Sequence, residues 1–198
     1  MREGKAKVLS GEEWSRLLRV VAVEMYSERN TAILYCSHGL GLRVGEISSL
    51  VIGDVVHEDG TLKDHFQIKR ANSKTNQNRE VFLTNNKVRR ALQTYLDVRH
   101  NQDGQFHLEA PLFKTQKGLA FTGNSMQQMM KRLFRKAALP ETVSSHSGRR
   151  GFATRLLGSG IGIRNVATLM GHGNNINQTA AYADSNPDTL SNVAAKAI

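Results

Sequence analysis

The chain has a single cysteine, Cys36, so no internal disulfide can form, and the disulfide-stapled secreted scaffolds are excluded. Cys36 lies in the apolar run Ala32-Ile33-Leu34-Tyr35-Cys36, where a buried thiol is the default and a reducing cytosol fits. Without a cysteine pair, and with histidines that lack zinc-site spacing, no structural metal is expected. No stretch approaches 18 apolar residues, and Met1-Arg2-Glu3-Gly4-Lys5 carries no apolar signal core, so neither a membrane span nor a secretion signal is predicted. Internal repeats and low-complexity blocks are lacking too. Acid is in short supply: 17 Asp and Glu face 27 Lys and Arg, a net charge of +10 with pI near 10.0. Such an excess favours a polyanionic partner through phosphate neutralisation, a trait shared by nucleic-acid enzymes, ribosomal proteins and binders of anionic membranes. A hydrophobic content of 39% excludes a wholly disordered chain, and 198 residues can bury a substantial core in one or two domains.

What is present is mainly helical. Ser10 and Glu13 fit a capping box ahead of Trp14, Leu17, Leu18 and Val21, which predicts an amphipathic helix over 11–25. A second helix, from Asn30 to His38, is apolar nearly all round and therefore buried, with Gly39 and Gly41 ending it. A short third helix starts at Arg43, with Val44, Ile47 and Leu50 in helical period. Between Val51 and Leu83 the pattern alternates: Val55-Val56-His57, Phe66 to Lys69 and Glu80 to Leu83, separated by Asp59-Gly60 and the Asn-rich stretch from Asn72 to Asn78. This predicts a small three-stranded antiparallel sheet, with Lys74 at the tip of its last hairpin and Lys69 and Arg70 close by. Helical period resumes at Lys87, and Pro111-Leu112-Phe113 is expected to tuck against the core. From Ser125 to Ala138, Met126, Met129, Met130, Leu133 and Phe134 form an apolar stripe opposite Lys131, Arg132, Arg135 and Lys136. That basic face is either solvated surface or a footprint on a phosphate backbone.

The residues that carry chemistry lie late in the chain. After Pro140, a helix capped by Ser144 or Ser145 carries His146 and Arg149, which at i, i+3 face the same way and can converge on one ligand. A helix from Ile163 to Met170 then presents Gly171-His172, and Tyr182 follows a short helical segment. Arginine offers a planar cationic fork matched to phosphate oxygens. A tyrosine hydroxyl is a possible nucleophile, given a proton acceptor and stabilisation of the group it attacks.

The order His146-x-x-Arg149, then Gly171-His172, then Tyr182 resembles the C-terminal signature of the tyrosine recombinase, or phage integrase, family. Upstream, Gly39-Leu40-Gly41-Leu42-Arg43-Val44-Gly45-Glu46-Ile47-Ser48-Ser49-Leu50 looks like that family's first arginine motif, and Ser73-Lys74-Thr75 stands where the family carries its lysine. The resemblance spans roughly residues 8–185 and implies one catalytic domain over 1–198, mainly α with a three-stranded antiparallel sheet. A tail helix, Asp188 to Ala197, follows and packs either on its own domain or in trans on a neighbouring protomer. Many members carry a separate N-terminal core-binding domain, and this chain does not include one: it is either a fragment of a longer integrase or a short, single-domain recombinase.

The implied activity is site-specific cleavage and rejoining of DNA strands through a 3′-phosphotyrosine, without cofactor, metal ion or ATP. In that reading Tyr182 is the nucleophile, Arg43 and Arg149 clamp the non-bridging oxygens, and Lys74 protonates the leaving 5′-oxygen. His146 and His172 hydrogen-bond and transfer protons, Glu46 orients Arg43, and Lys131, Arg132, Arg135, Lys136 and Arg150 bind DNA. With no carboxylate cluster to suggest Mg²⁺ ligands, the positive charge that phosphoryl transfer needs is expected from side chains. The implied partners are double-stranded DNA at attachment or inverted-repeat sites, a homo-tetramer on that DNA formed from monomers in free solution, and DNA-bending accessory proteins; no membrane is involved. The implied setting is the nucleoid-associated cytoplasm of a bacterium or archaeon, or of a cell carrying a phage. Three rival readings are a type IB topoisomerase with related phosphotyrosine chemistry, a non-catalytic DNA-binding module of the same fold, and a basic RNA-binding or ribosomal protein in which the constellation would be coincidence. One departure stands out: where the family usually has Leu before the second arginine and often His after it, this chain has Gly148 and Arg150.

Overall fold

The computed structural model describes residues 6–69, 78–173 and 175–182. The first helix, α1 (Gly11–Ala22), starts as its capping box predicts: the Ser10 hydroxyl accepts from the Glu13 N–H at 3.1 Å, and the Glu13 carboxylate accepts from the Ser10 N–H at 2.9 Å. It stops before residue 25 because the chain reverses there, through Tyr26 in the left-handed region (φ 64°). The next helix, α2 (Ser27–Leu40), is largely buried, with no fully exposed residue, and is the element against which the others are laid. It packs on α1, on α5 (Asn86–Asp103) and on α7 (Ser147–Gly158).

A short helix, α3 (Val44–Ser48), begins at Arg43 as expected. The stretch after it does not form a strand. Asp54 accepts the Val51 N–H at 2.9 Å and closes a single turn, α4 (Ile52–Val55), so Val55 lies in a helix and Val56 makes only an isolated bridge to Leu62. Among the described residues the sheet therefore has two strands, not three: β1 (His65–Ile68) and β2 (Arg79–Phe82), antiparallel, with Phe66 opposite Val81 and Ile68 opposite Arg79. Phe66, Ile68 and Val81 face the core, while Lys74 and the turn around it lie outside the described residues.

The chain between α5 and α6 (Gly123–Lys136) is anchored by Arg99, only 2% exposed, which donates to the carbonyls of Pro111 (2.8 Å) and Leu112 (2.6 Å). Phe113 stacks on Tyr95 beside it, so Pro111-Leu112-Phe113 enters the core as predicted. The methionine stripe of α6 is buried, and α6 packs on α3 where Gly123 approaches Gly45. The last elements, α8 (Ile163–Met170) and α9 (Ile176–Ala180), form with α7 a smaller apolar cluster of Ala153, Val166 and Met170, against which Phe152 and Tyr182 pack. The expected tail helix, 188–197, lies outside the described residues. No helix among those described is long and apolar enough to cross a membrane.

Gly148 has a packing reason. A Cβ there would stand 2.4 Å from the Ser37 hydroxyl oxygen and 3.1 Å from the Ser37 carbonyl carbon, so α7 rests with its backbone directly on α2. A leucine at this position requires the two helices to part. Gly148→Leu is therefore expected to lower stability by about 1–3 kcal/mol, the usual cost of overpacking; urea unfolding checks this, and an unchanged midpoint would mean that the contact yields freely.

Candidate active site

The site is built around a carboxylate that water does not reach. Glu46, 1% exposed, occupies the third position of α3, from which its side chain turns back to accept the Arg43 N–H at 2.7 Å. The same carboxylate accepts from the Arg43 guanidinium at 2.8 Å and from Arg79 at 2.5 Å, and it lies 3.9 Å from Arg149. An isolated buried carboxylate is strongly disfavoured, and these guanidinium groups stabilise it by pairing. Three cations surround one anion, so the cluster retains an excess of positive charge. Burial first, then repulsion from Arg43 and Arg79, pulls the Arg149 guanidinium down to about 9, still protonated near neutrality. A bound anion would relieve that repulsion.

Each arginine comes from a different part of the chain. Arg43 is the cap of α3, 18% exposed in its side chain. Arg149 sits in the first turn of α7 and is 3% exposed; it donates to the carbonyls of Gly41, just past α2, and of Met170, at the end of α8. Carbonyls at helix C-termini lack intrahelical partners and carry the negative end of the helix dipole, so they suit a cation. Arg79 opens β2, is 5% exposed, and also donates to the Leu169 carbonyl at 2.6 Å. Gly171, at φ 63°, lets the chain turn out of α8 across the Arg79 stem; a Cβ there would meet the Arg79 Cδ at 2.5 Å.

That turn delivers His172, 6% exposed. Its Nε2 stands 3.2 Å from the Arg149 Nη2 and its Nδ1 2.8 Å from the Thr179 hydroxyl. A guanidinium only donates, so Nε2 is the acceptor and Nδ1 carries the proton, donated to Thr179. The end of a helix favours a charged imidazole by up to about 2 kcal/mol. Burial and the positive charges of Arg149, Arg43 and Arg79 outweigh that and push His172 down to about 4, so the ring is neutral. Tyr182 stacks on it, ring centroids 5.8 Å apart and planes within 15°. The tyrosine is half-buried, its N–H bonded to the Thr179 carbonyl at 2.9 Å and its own carbonyl accepting from the Thr154 hydroxyl at 3.3 Å. It lies near enough to Arg149 for a phenolate to stabilise the guanidinium.

Of the residues expected at the site, Arg43, Glu46, Arg149, His172 and Tyr182 are thus brought together. His146 is exposed at the cap position preceding α7, three residues before Arg149, rather than within the helix. Lys74 falls outside the described residues. Arg150, expected as a DNA contact, is 9% exposed and donates to the Ala6 carbonyl at 2.8 Å, tying the N-terminal segment to α7. On α6, Arg132 is exposed, Lys131 and Arg135 pair with Glu141 (3.4 and 3.0 Å), and Lys136 pairs with Glu24 (2.6 Å). Such exposed pairs are weak enough to exchange for phosphate. Sequence reasoning missed Arg79 and Thr179. The signal for Arg79 was the strand period: residues 79 and 81 share a face, and Val81 faces the core. Nothing local marks Thr179.

The phage integrase family model matches residues 7–189. Tyrosine recombinase XerC of Vibrio cholerae serotype O1 is 30% identical over 176 residues, 89% of this chain and 53% of that protein; the chain thus spans about half the length of that relative. Among solved structures, XerA recombinase superposes with a TM-score of 0.76 at 24% identity, covering 99% of this chain and 65% of that one. The site-specific recombinase XerH bound to a palindromic difH substrate, a post-cleavage complex, gives 0.72 at 24% identity over 96% of this chain and 53% of that one. At these identities the structural matches show a shared fold.

A pH dependence follows from the buried ring. Because His172 is held down to about 4 in the folded protein against 6.5 ordinarily, the unfolded chain binds more protons between those values. Stability is therefore expected to fall as pH drops from about 6.5 towards 4, and His172→Gln should flatten part of the slope of Tm against pH. His38, half-buried and stacked on Trp14, is pushed down to about 3 by desolvation and accounts for a further part. Identical slopes for wild type and His172→Gln would overturn the neutral-ring assignment.

Proposed function

The chain belongs to the phage integrase family, and on that premise we propose that it forms the catalytic part of a site-specific DNA recombinase that cleaves and rejoins strands through a tyrosine-linked intermediate. One observation carries the reading: Arg43 and Arg149 share a single buried carboxylate, and the Tyr182 phenol is stacked on the histidine bonded to one of them. Cleavage of a phosphodiester needs an in-line nucleophile, cations on the non-bridging oxygens and a proton for the departing oxygen. Here the two guanidinium groups take the non-bridging oxygens, with Glu46 setting their positions. The phenol oxygen of Tyr182 attacks phosphorus, the bond to the 5′-oxygen breaks, and a 3′-phosphotyrosine ester remains. The phenolic proton passes to a histidine: His146, exposed three residues before Arg149, is the candidate base, while His172, its Nε2 engaged by Arg149, hydrogen-bonds in the site and holds the ring on which the phenol stacks. Lys74 supplies the proton to the leaving 5′-oxygen. Since one ester replaces another, the linkage free energy is retained, and a new 5′-hydroxyl reverses the step without ATP.

The substrate is double-stranded DNA, with the basic face of α6 beside α3 lying along its phosphates. Exchange between two duplexes needs four protomers on DNA, with bending proteins assisting assembly and the tail beyond Tyr182 packing in cis or in trans. The single domain and a nucleoid-associated, cytoplasmic setting belong to the same reading.

A nicked suicide duplex carrying the attachment site tests it, scored for a denaturation-resistant protein–DNA adduct. Wild type is expected to accumulate adduct and Tyr182→Phe none; equal adduct in both would remove Tyr182 from its role. Arg43→Ala should lower adduct formation by at least about a hundredfold, as loss of an oxyanion-stabilising donor does, while duplex binding stays within about tenfold because one phosphate contact is a small part of the electrostatic total.

A further inference from the structure

Arg79 lies outside the motifs that identified the site, yet with Arg149 it joins the site's separate parts. Its guanidinium, almost completely buried, bonds the Glu46 carboxylate with one terminal nitrogen and the Leu169 carbonyl with the other. On one side of it lies the α3 start that carries Arg43; on the other lies the end of α8, whose last carbonyls precede Gly171-His172. Its aliphatic stem is the floor over which Gly171 turns, with room for hydrogen only. Its backbone is the first residue of β2, paired with Ile68 at the end of the strand pair from which the connecting segment that contains Lys74 departs.

We infer that Arg79 is a positioning residue for strand cleavage: by bridging Glu46 and the Leu169 carbonyl it sets the spacing of Arg43 from His172 and anchors the end of the hairpin beside both. The inference rests on the recombinase reading for its catalytic consequence, but not for its structural one. Three features favour a positioning role over filling of the core. The contacts are directional, since only a planar fork reaches a carboxylate and a carbonyl on separate elements at once. The bonded partners both adjoin groups assigned to phosphate or proton handling. The Nε of Arg79 is buried without a hydrogen-bond partner among the described residues, a cost that a residue chosen only for packing would not impose. Because the Arg79 charge also helps to keep His172 neutral, its loss should be visible at that ring.

The test uses Arg79→Lys, which keeps a positive charge near Glu46 but cannot span both partners, and Arg79→Met, which keeps the stem and loses both bonds. Single-turnover cleavage of the nicked duplex is expected to fall about tenfold for Arg79→Lys and at least about a hundredfold for Arg79→Met, within the range lost with a transition-state contact, while duplex affinity changes less than about threefold. Independently of any DNA, nitrogen-detected NMR of the His172 ring should show its titration moving to higher pH in Arg79→Met, since a positive neighbour has gone. If Arg79→Met does not fold, Arg79→Lys decides by its cleavage rate, the ring titration staying in place because the charge is kept. Wild-type cleavage with an unmoved ring in the folded variant overturns the inference and leaves the recombinase reading standing. A shifted ring in a protein whose wild type forms no adduct removes the recombinase reading and the catalytic consequence with it, and retains Arg79 only as the structural tie.

Discussion

The structure depends on one buried ion cluster. The Glu46 carboxylate, sealed from water, is bonded by Arg43 and Arg79 and approached by Arg149, and these three arginines belong to the α2–α3 junction, the first residue of β2 and the first turn of α7. Removing one partner of such a cluster leaves an uncompensated charge in a medium that cannot solvate it, which costs several kcal/mol. The cluster is thus a tie between segments distant in sequence. Its surplus of positive charge, reflected in the lowered Arg149, is also the condition for receiving an anion beside Arg43 and Tyr182, both only partly buried.

Helix ends supply the remaining negative partners. Arg149 donates to the carbonyls of Gly41 and Met170, and Arg79 to that of Leu169, so the C-termini of α2 and α8 converge on the same guanidinium groups. Both helices end at a glycine in the left-handed region, Gly41 at φ 64° and Gly171 at φ 63°, which turns the chain away and leaves those carbonyls free to accept. The neutral state of His172 follows from the same crowding. A ring placed among three guanidinium groups keeps a lone pair for Arg149 and gives its proton to Thr179, and that fixes the plane on which Tyr182 stacks.

Much of this was legible in the chain. Capping residues and helical period located α1, α2, α5, α6 and α8, because those signals depend on a few neighbouring residues and on one buried face. The order of the motifs located five of the clustered side chains. Where the reading failed, a short-range signal was outweighed by a contact it does not encode. Val55-Val56-His57 has the composition of a strand, but one Asp54 carboxylate on the Val51 N–H was enough to close a helical turn. Gly148 departs from the family's leucine, and the reason, the nearness of Ser37 on α2, is visible only once the two helices are laid together.

By itself, the sequence determined which chemical groups exist, which short stretches become helices, and the order in which arginine, histidine and tyrosine arrive; each of these is set by residue identity and by neighbours a few positions away. Only the tertiary structure decided which charges are buried together, that Arg79 joins Arg43, Glu46 and Arg149, and that His172 is neutral with its proton on Nδ1. Charge state and hydrogen-bond role depend on desolvation and on distances of a few ångströms between groups far apart in the chain, and such distances come into being only when α2, α3, α7, α8 and β2 are packed against one another.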